Sequence, residues 1–317
     1  MRRYCLLVVL LGFYSSPIFA ANADTAFTAS PLVLKTATGD LYGTLTVPAA
    51  VTGRMPVALI IAGSGPTDRD GNIPAMKNNG LKQLAEALAV NGIASLRYDK
   101  RGIAQSVGAG KREADLRFGD YITDAQQWIA LLRIDNRFSG ITVIGHSEGS
   151  LIGMMAARDA GKFVSIAGAG QSADKTLREQ MNGQPAIVRD LSLPILDSLS
   201  QGKTVVTVNP MLAALFRPSV QPYLISWFRY DPQVEIRKLT IPVLILQGTH
   251  DLQVSVDDAN RLAAAKPGAQ LVLLEKMNHV LKQVSAEKSE NMAAYYNPQL
   301  PVDKNLVNAV SAFILNR

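Results

Sequence analysis

"ITVIGHSEGSLIGMMAARDAG", residues 141–161, decides how the rest of the chain is read. An apolar run from Ile141 to Ile144 enters Gly145-His146-Ser147-Glu148-Gly149, and a helical pattern follows from Leu151. When a strand turns directly into a helix through such a pentapeptide, the middle residue is pushed above the sheet and the glycines leave room for neighbouring backbone. The pattern alone is weak, because Gly and Ser usage of about 7% each gives roughly one chance match in ten chains of this length. Its position at a strand-to-helix junction is what makes Ser147 the candidate nucleophile.

Outward from this junction, short apolar runs alternate with helical patterns. "PVALIIAG" (56–63), "IASLRYD" (93–99) and "FVSIAGAG" (163–170) are strand-like, while "LKQLAEALAVNG" (81–92) and "DYITDAQQWIALLRID" (120–135) have a period near 3.6. Continuously apolar strands separated by amphipathic helices are the sequence form of a parallel sheet covered on both faces. Upstream, "PLVLKTATGDLYGTLTVP" (31–48) predicts an antiparallel hairpin around Thr38-Gly39-Asp40. The rhythm breaks over 171–240 and resumes with "IPVLILQGTHD" (241–251), a helix over 255–268, the strand "AQLVLLEKMNH" (269–279) and a last helix near 303–316. The expectation is one α/β domain over 24–317, doubly wound and mostly parallel. Its helical cap, 171–240, is inserted between strands six and seven.

The first residues, "MRRYCLLVVLLGFYSSPIFAANADT", combine two arginines, an apolar run and small residues. This layout predicts a secretory signal peptide over 1–23, cleaved near Ala20 or Ala23, and is too short for a membrane span. The expected product is exported, periplasmic or secreted. Loss of Arg2 and Arg3 lowers the formal net charge from +6 to +4, and with no basic run this argues against nucleic-acid binding. Cys5, the sole cysteine, lies inside the segment expected to be removed. A mature chain without thiols suits an oxidising compartment and excludes cysteine nucleophiles and thiolate metal sites.

A serine hydroxyl needs a base within hydrogen-bond reach, almost always histidine. The chain has three, His146, His250 and His279. His146 adjoins Ser147 in the turn and is expected to point away beneath it; His250 would compete with its neighbour Asp251. His279, in "MNHVL" just past the last strand, is therefore the expected base. The base needs a carboxylate to hold its tautomer. Asp251, at the end of "PVLILQGTHD", stands on the same sheet edge; Asp174 is its rival, and Asp257 and Asp258 read as first-turn helix charges. The order Ser147, Asp251, His279 is the one expected of this architecture.

Through "GSGPTDRDGN", "LRYDKRGIAQS", "GHSEGS", "PVLILQGTHDLQV" and "MNH", the chain resembles the α/β-hydrolases, within them the serine-aminopeptidase-like and monoglyceride-lipase-like esterases. The resemblance implies the same triad and hydrolysis of carboxylic esters. Two departures stand out. Ala62-Gly63 occupies a place where many relatives carry His-Gly, and Asp99-Lys100-Arg101-Gly102-Ile103-Ala104 replaces the D-x-R-G-x-G pattern.

"GSGPTDRDGN" fits neither a phosphate loop, since Asp68 stands where the third glycine belongs and no lysine follows, nor a calcium loop, whose glycine comes sixth rather than fourth. Acyl transfer instead needs two preorganised N–H donors for the oxyanion. Glu148, after the nucleophile, is one; Ser64, with Gly65 as second choice, is the other. Asp68, Arg69 and Asp70 are expected to form a local ion-pair network shaping the loop. Cap residues Phe216, Tyr223, Trp227, Phe228 and Tyr230 are expected mostly in the cap's own core, with some lining an acyl pocket. The function expected is a serine esterase acting on a small-molecule acyl ester without cofactor or metal. The alternatives are an aminopeptidase or acyl thioesterase with the same triad, or a non-catalytic binding protein on the same scaffold.

Overall fold

The computed structural model describes residues 26–110 and 112–316; the segment expected to be an export signal, 1–23, lies outside them. The predicted hairpin is β1 (Phe27–Thr36) and β2 (Gly39–Pro48). It is followed by β3 (Met55–Ile61), β4 (Ala94–Tyr98), β5 (Phe138–His146) and β6 (Lys162–Ile166). Two strands close the sheet, β7 (Val243–Gly248) and β8 (Gln270–Leu274). Helices α1 (Gly80–Val90), α2 (Phe118–Arg133) and α3 (Glu148–Ala156) connect the central strands, while α9 (Val256–Ala265), α10 (Lys288–Ala293) and α11 (Lys304–Leu315) lie in the C-terminal part. The connection from β6 to β7 folds into α4 (Ala173–Asn182), α5 (Ala186–Ser200), α6 (Ala213–Phe216), α7 (Gln221–Trp227) and α8 (Pro232–Arg237).

The eight strands form one sheet in the order β1-β2-β4-β3-β5-β6-β7-β8. Pairs β1–β2 and β2–β4 are antiparallel and the other five parallel. The apolar continuity of β3 has a direct cause. Val57, Leu59 and Ile61 enter one buried cluster, with residues of α2 and α3, whereas Ala58 and Ile60 enter a second, with residues of α1 and α11. A strand with core on both faces has no position for water-facing side chains. Edge strand β1 differs: it is mostly exposed and accommodates Pro31, whose missing N–H costs little there.

β8 is shorter than the expected strand 269–279. Its partner β7 ends at Gly248, and a Cβ there would stand 2.1 Å from the Met277 carbonyl oxygen, so the chain folds back across this point. Beyond Leu274 the backbone turns, with Lys276 at φ 62°.

From β3 the chain steps to β4 on one side and later returns to β5 on the other. Connections leaving the carboxyl ends of β3 and β5 diverge, which opens a crevice at this switch point. The loop carrying Ser64 and the turn carrying Ser147 flank it.

Candidate active site

Ser147 sits between the last residue of β5 and the first of α3, at φ 55° and ψ −121°. A non-glycine residue in this region costs about 1 to 3 kcal/mol and persists only where its surroundings fix it. Here they do. A Cβ on Gly145 would lie 2.2 Å from the Gly149 carbonyl oxygen, and one on Gly149 would lie 2.3 Å from that of Ile61. The turn is therefore pressed against the end of β3, and the Ser147 N–H donates to the Ile166 carbonyl at 3.0 Å.

His279 lies in the turn after β8, where Asn278 N–H donates to the Lys282 carbonyl at 2.9 Å and Leu281 takes φ 66°. Its Nδ1 is 2.8 Å from Asp251 Oδ2, with both side chains buried. A proton on Nδ1, donated to Asp251, leaves Nε2 with a lone pair to accept a proton. Asp251 Oδ1 accepts from the N–H groups of Gln253 at 2.7 Å and Val254 at 3.0 Å. Burial alone would push its carboxyl up, but His279 and these two backbone donors hold it below the ordinary carboxylate value. Ser147 and His279 line the same small cavity.

His146 lies under the turn, its ring 4.8 Å from that of His279, and its Nε2 is 2.9 Å from the His279 carbonyl oxygen. Burial, with His279 beside it, lowers its pKa to about 3, so the ring stays neutral and Nε2–H donates to that carbonyl. The unfolded chain protonates this residue below about pH 6.5. Because the folded-state value is depressed, the stability it confers is intact above about 6.5 and drains as pH falls toward 3, by up to about 1.4 kcal/mol per unit. Between pH 7 and pH 5, His146→Gln should lose about 2 kcal/mol less stability than the parent protein in urea unfolding; equal losses would contradict a neutral buried His146.

His250 turns away, its Nδ1 3.0 Å from the Val284 carbonyl oxygen. Asp174 is in the first turn of α4, and Asp257 and Asp258 in that of α9, where Asp258 forms a capping box with Ser255. In "DRD", Asp68 Oδ1 accepts from the N–H groups of Asp70 and Asn72, each at 2.9 Å. The ion pairs, however, reach out to β4 and the residue after it: Arg69 to Asp99 at 2.6 Å and Asp70 to Arg97 at 2.8 Å. The triplet fastens the Ser64 loop to the neighbouring strand.

The structure adds a residue that the sequence marks only as a departure in "DKRG". Lys100 is buried, and its Nζ donates to the Gly63 carbonyl at 2.6 Å and to Glu148 Oε2 at 2.7 Å. The other Glu148 oxygen accepts from the Tyr223 hydroxyl on α7. In a planar trans peptide the carbonyl of Gly63 and the N–H of Ser64 point in opposite directions. Lys100 thus fixes the orientation of the Ser64 N–H. The N–H of Glu148, first in α3, has no partner within its helix.

Ser147 and Ser64 stand where two cavities meet. One, about 790 Å³, runs beneath α4, α7 and neighbouring residues of the β6–β7 connection; the other, about 180 Å³, lies beside His279. Every charged side chain lining the larger one is paired: Lys100 with Glu148, Arg101 with Asp124, and Arg217 with Glu113.

The family described as "Serine aminopeptidase, S33" matches residues 76–209. Esterase EstD of Thermotoga maritima is 24% identical over 290 residues, covering 87% of this chain and 65% of EstD. The chain therefore spans about two thirds of that relative's length. Among solved structures, Est1E from Butyrivibrio proteoclasticus superposes with a TM-score of 0.60 at 18% identity, covering 90% of this chain and 98% of Est1E. Est1E with ferulic acid bound gives 0.62 at 17% identity, with the same coverage. The chain has the α/β-hydrolase fold. No three His, Cys, Asp or Glu side chains among the described residues converge to hold a metal ion, and no described helix is long and apolar enough to cross a membrane.

Proposed function

We propose that the chain is a serine hydrolase cleaving neutral carboxylic esters through an acyl-enzyme. The observation that carries this reading is the buried His279–Asp251 pair, 2.8 Å apart, beside the backbone-strained Ser147. Ser147 Oγ attacks the ester carbonyl while His279 Nε2 takes its proton, and the oxyanion forms against the N–H groups of Ser64 and Glu148. The carbon–oxygen bond to the alcohol breaks as His279 returns the proton to the departing oxygen. Water then attacks the acyl-enzyme, giving a proton to His279, which passes it to Ser147 as the acid leaves.

Ester rather than peptide substrates are favoured by the cavity's electrostatics. An aminopeptidase needs a carboxylate free to receive the substrate ammonium, and both cavity acids, Glu113 and Glu148, are already neutralised by Arg217 and Lys100. An apolar cavity with its charges internally satisfied suits an uncharged acyl ester. EstD, named an esterase, supports the same class. The β6–β7 connection, 171–240, would act as the cap over this cavity, and the "MRRYCLLVVLLGFY" pattern supports export to the periplasm or medium.

A fluorophosphonate probe should label Ser147 and no other residue. The same protein should hydrolyse aryl esters at least about 100-fold faster than the matching aminoacyl anilides. A labelled mass shortened at Ala20 or Ala23 would report export, and an unlabelled Ser147 would overturn the hydrolase reading.

A further inference from the structure

Resting on the hydrolase reading above, we infer that the two cavities divide the ester unequally: the acyl group occupies the large cavity and the alcohol the small one. The path of the proton decides which side is which. Collapse of the tetrahedral intermediate requires His279 to protonate the departing oxygen, and a general acid acts only within hydrogen-bond reach of its acceptor. His279 lines the small cavity and not the large one. The alkoxide therefore departs on the small-cavity side, and the acyl chain, fixed to Ser147 at the junction, extends the other way.

Volume then defines the substrate class. At about 30 Å³ for each water-sized unit, 180 Å³ holds about six such units, room for a short alcohol. The small cavity is bounded by Ile73, Met76, Leu81, Val280 and Tyr295, and its walls are tied into the fold: Asn78 Nδ2 donates to the Gly71 carbonyl at 2.9 Å, and a Cβ on Gly80 would stand 2.8 Å from the Val280 carbonyl oxygen. The large cavity, about 790 Å³ and lined by Leu151, Leu177, Leu215, Val220, Leu224 and Trp227, takes a long aliphatic or aromatic acyl group. The substrate is a short-alcohol ester of a bulky, uncharged acid. The order of events has a second result. Once the alcohol departs, the acyl chain still fills the large cavity, so water reaches the carbonyl through the vacated small one, where His279 takes its proton. A short alcohol added to the reaction enters by the same route, forms the new carbon–oxygen bond in place of water and gives its proton to His279, yielding a new ester.

The direct test compares isomers that differ only in which side carries the bulk, methyl nonanoate and octyl acetate. The expected kcat/KM ratio favours methyl nonanoate by about 30-fold or more. In Val220→Trp that ratio should fall, through loss of the nonanoate; in Met76→Ala it should fall through a gain with octyl acetate. With the nonanoyl-enzyme, propanol should compete with water as acceptor and a bulky secondary alcohol should not. A ratio near one or reversed, or equal transfer to both alcohols, would overturn the division of the ester while leaving the hydrolase reading in place. A protein inert toward both isomers and unlabelled at Ser147 would overturn both.

Discussion

Ser147→Gly should lower kcat by about a million-fold, the scale of losing a serine nucleophile, and yet give a more stable protein than Ser147→Ala. The two readouts come from one residue. In the proposed reaction its hydroxyl forms the acyl bond, so removal would leave binding and the proposed oxyanion donors without a nucleophile. Its backbone, at φ 55° and ψ −121°, occupies a region open to glycine and strained for any residue with a Cβ. Alanine retains that strain and glycine relieves it. Glycine also loses more freedom on folding, which offsets part of the gain. We expect a net difference of about 1 kcal/mol between the two inactive variants in urea unfolding. Equal stabilities would mean that the turn is relaxed, and retained turnover in either variant would rule out Ser147 as the nucleophile.

Lys100→Met is expected to act on stability and catalysis by separable routes. Removing one member of a buried ion pair leaves the other charged and unpaired, commonly at a cost of about 3 to 5 kcal/mol. Here the abandoned group is Glu148, whose second oxygen accepts from the Tyr223 hydroxyl. The double variant Lys100→Met/Glu148→Gln removes the stranded charge and should recover much of the stability. Catalysis should not recover with it, because the Gly63 carbonyl has still lost the ammonium that orients the Ser64 peptide. A misaimed oxyanion donor costs about 100-fold in kcat, with KM little changed. Recovery of kcat in the double variant would confine Lys100 to a stabilising role.

The sheet was legible in the sequence because its strands are buried on both faces: runs such as "PVALII" admit no polar position, and Gly145 and Gly149 mark the sharp turn. His279 and Asp251 could be proposed because each stands at the end of a predicted strand and only three histidines compete. Lys100 was not legible as part of the site. A lysine beside an arginine after a strand looks like a solvated charge, and its contacts lie 37 residues back at Gly63 and 48 residues on at Glu148. Nor does the sequence reveal that Arg217 neutralises Glu113, since that pair spans 104 residues between a short loop and the β6–β7 connection. The unequal cavities are likewise a property of packing, and no periodicity encodes a volume.

His146 gives the site a tolerance that no single distance expresses. The residue immediately before the proposed nucleophile donates to the backbone carbonyl of the proposed base. Displacement of the turn therefore carries His279 with it, so a positional error is shared between Ser147 and His279 instead of accumulating between them. The proton transfer proposed for this pair then depends on a contact between the β5–α3 turn and the turn after β8, to which the β6–β7 connection contributes no atom.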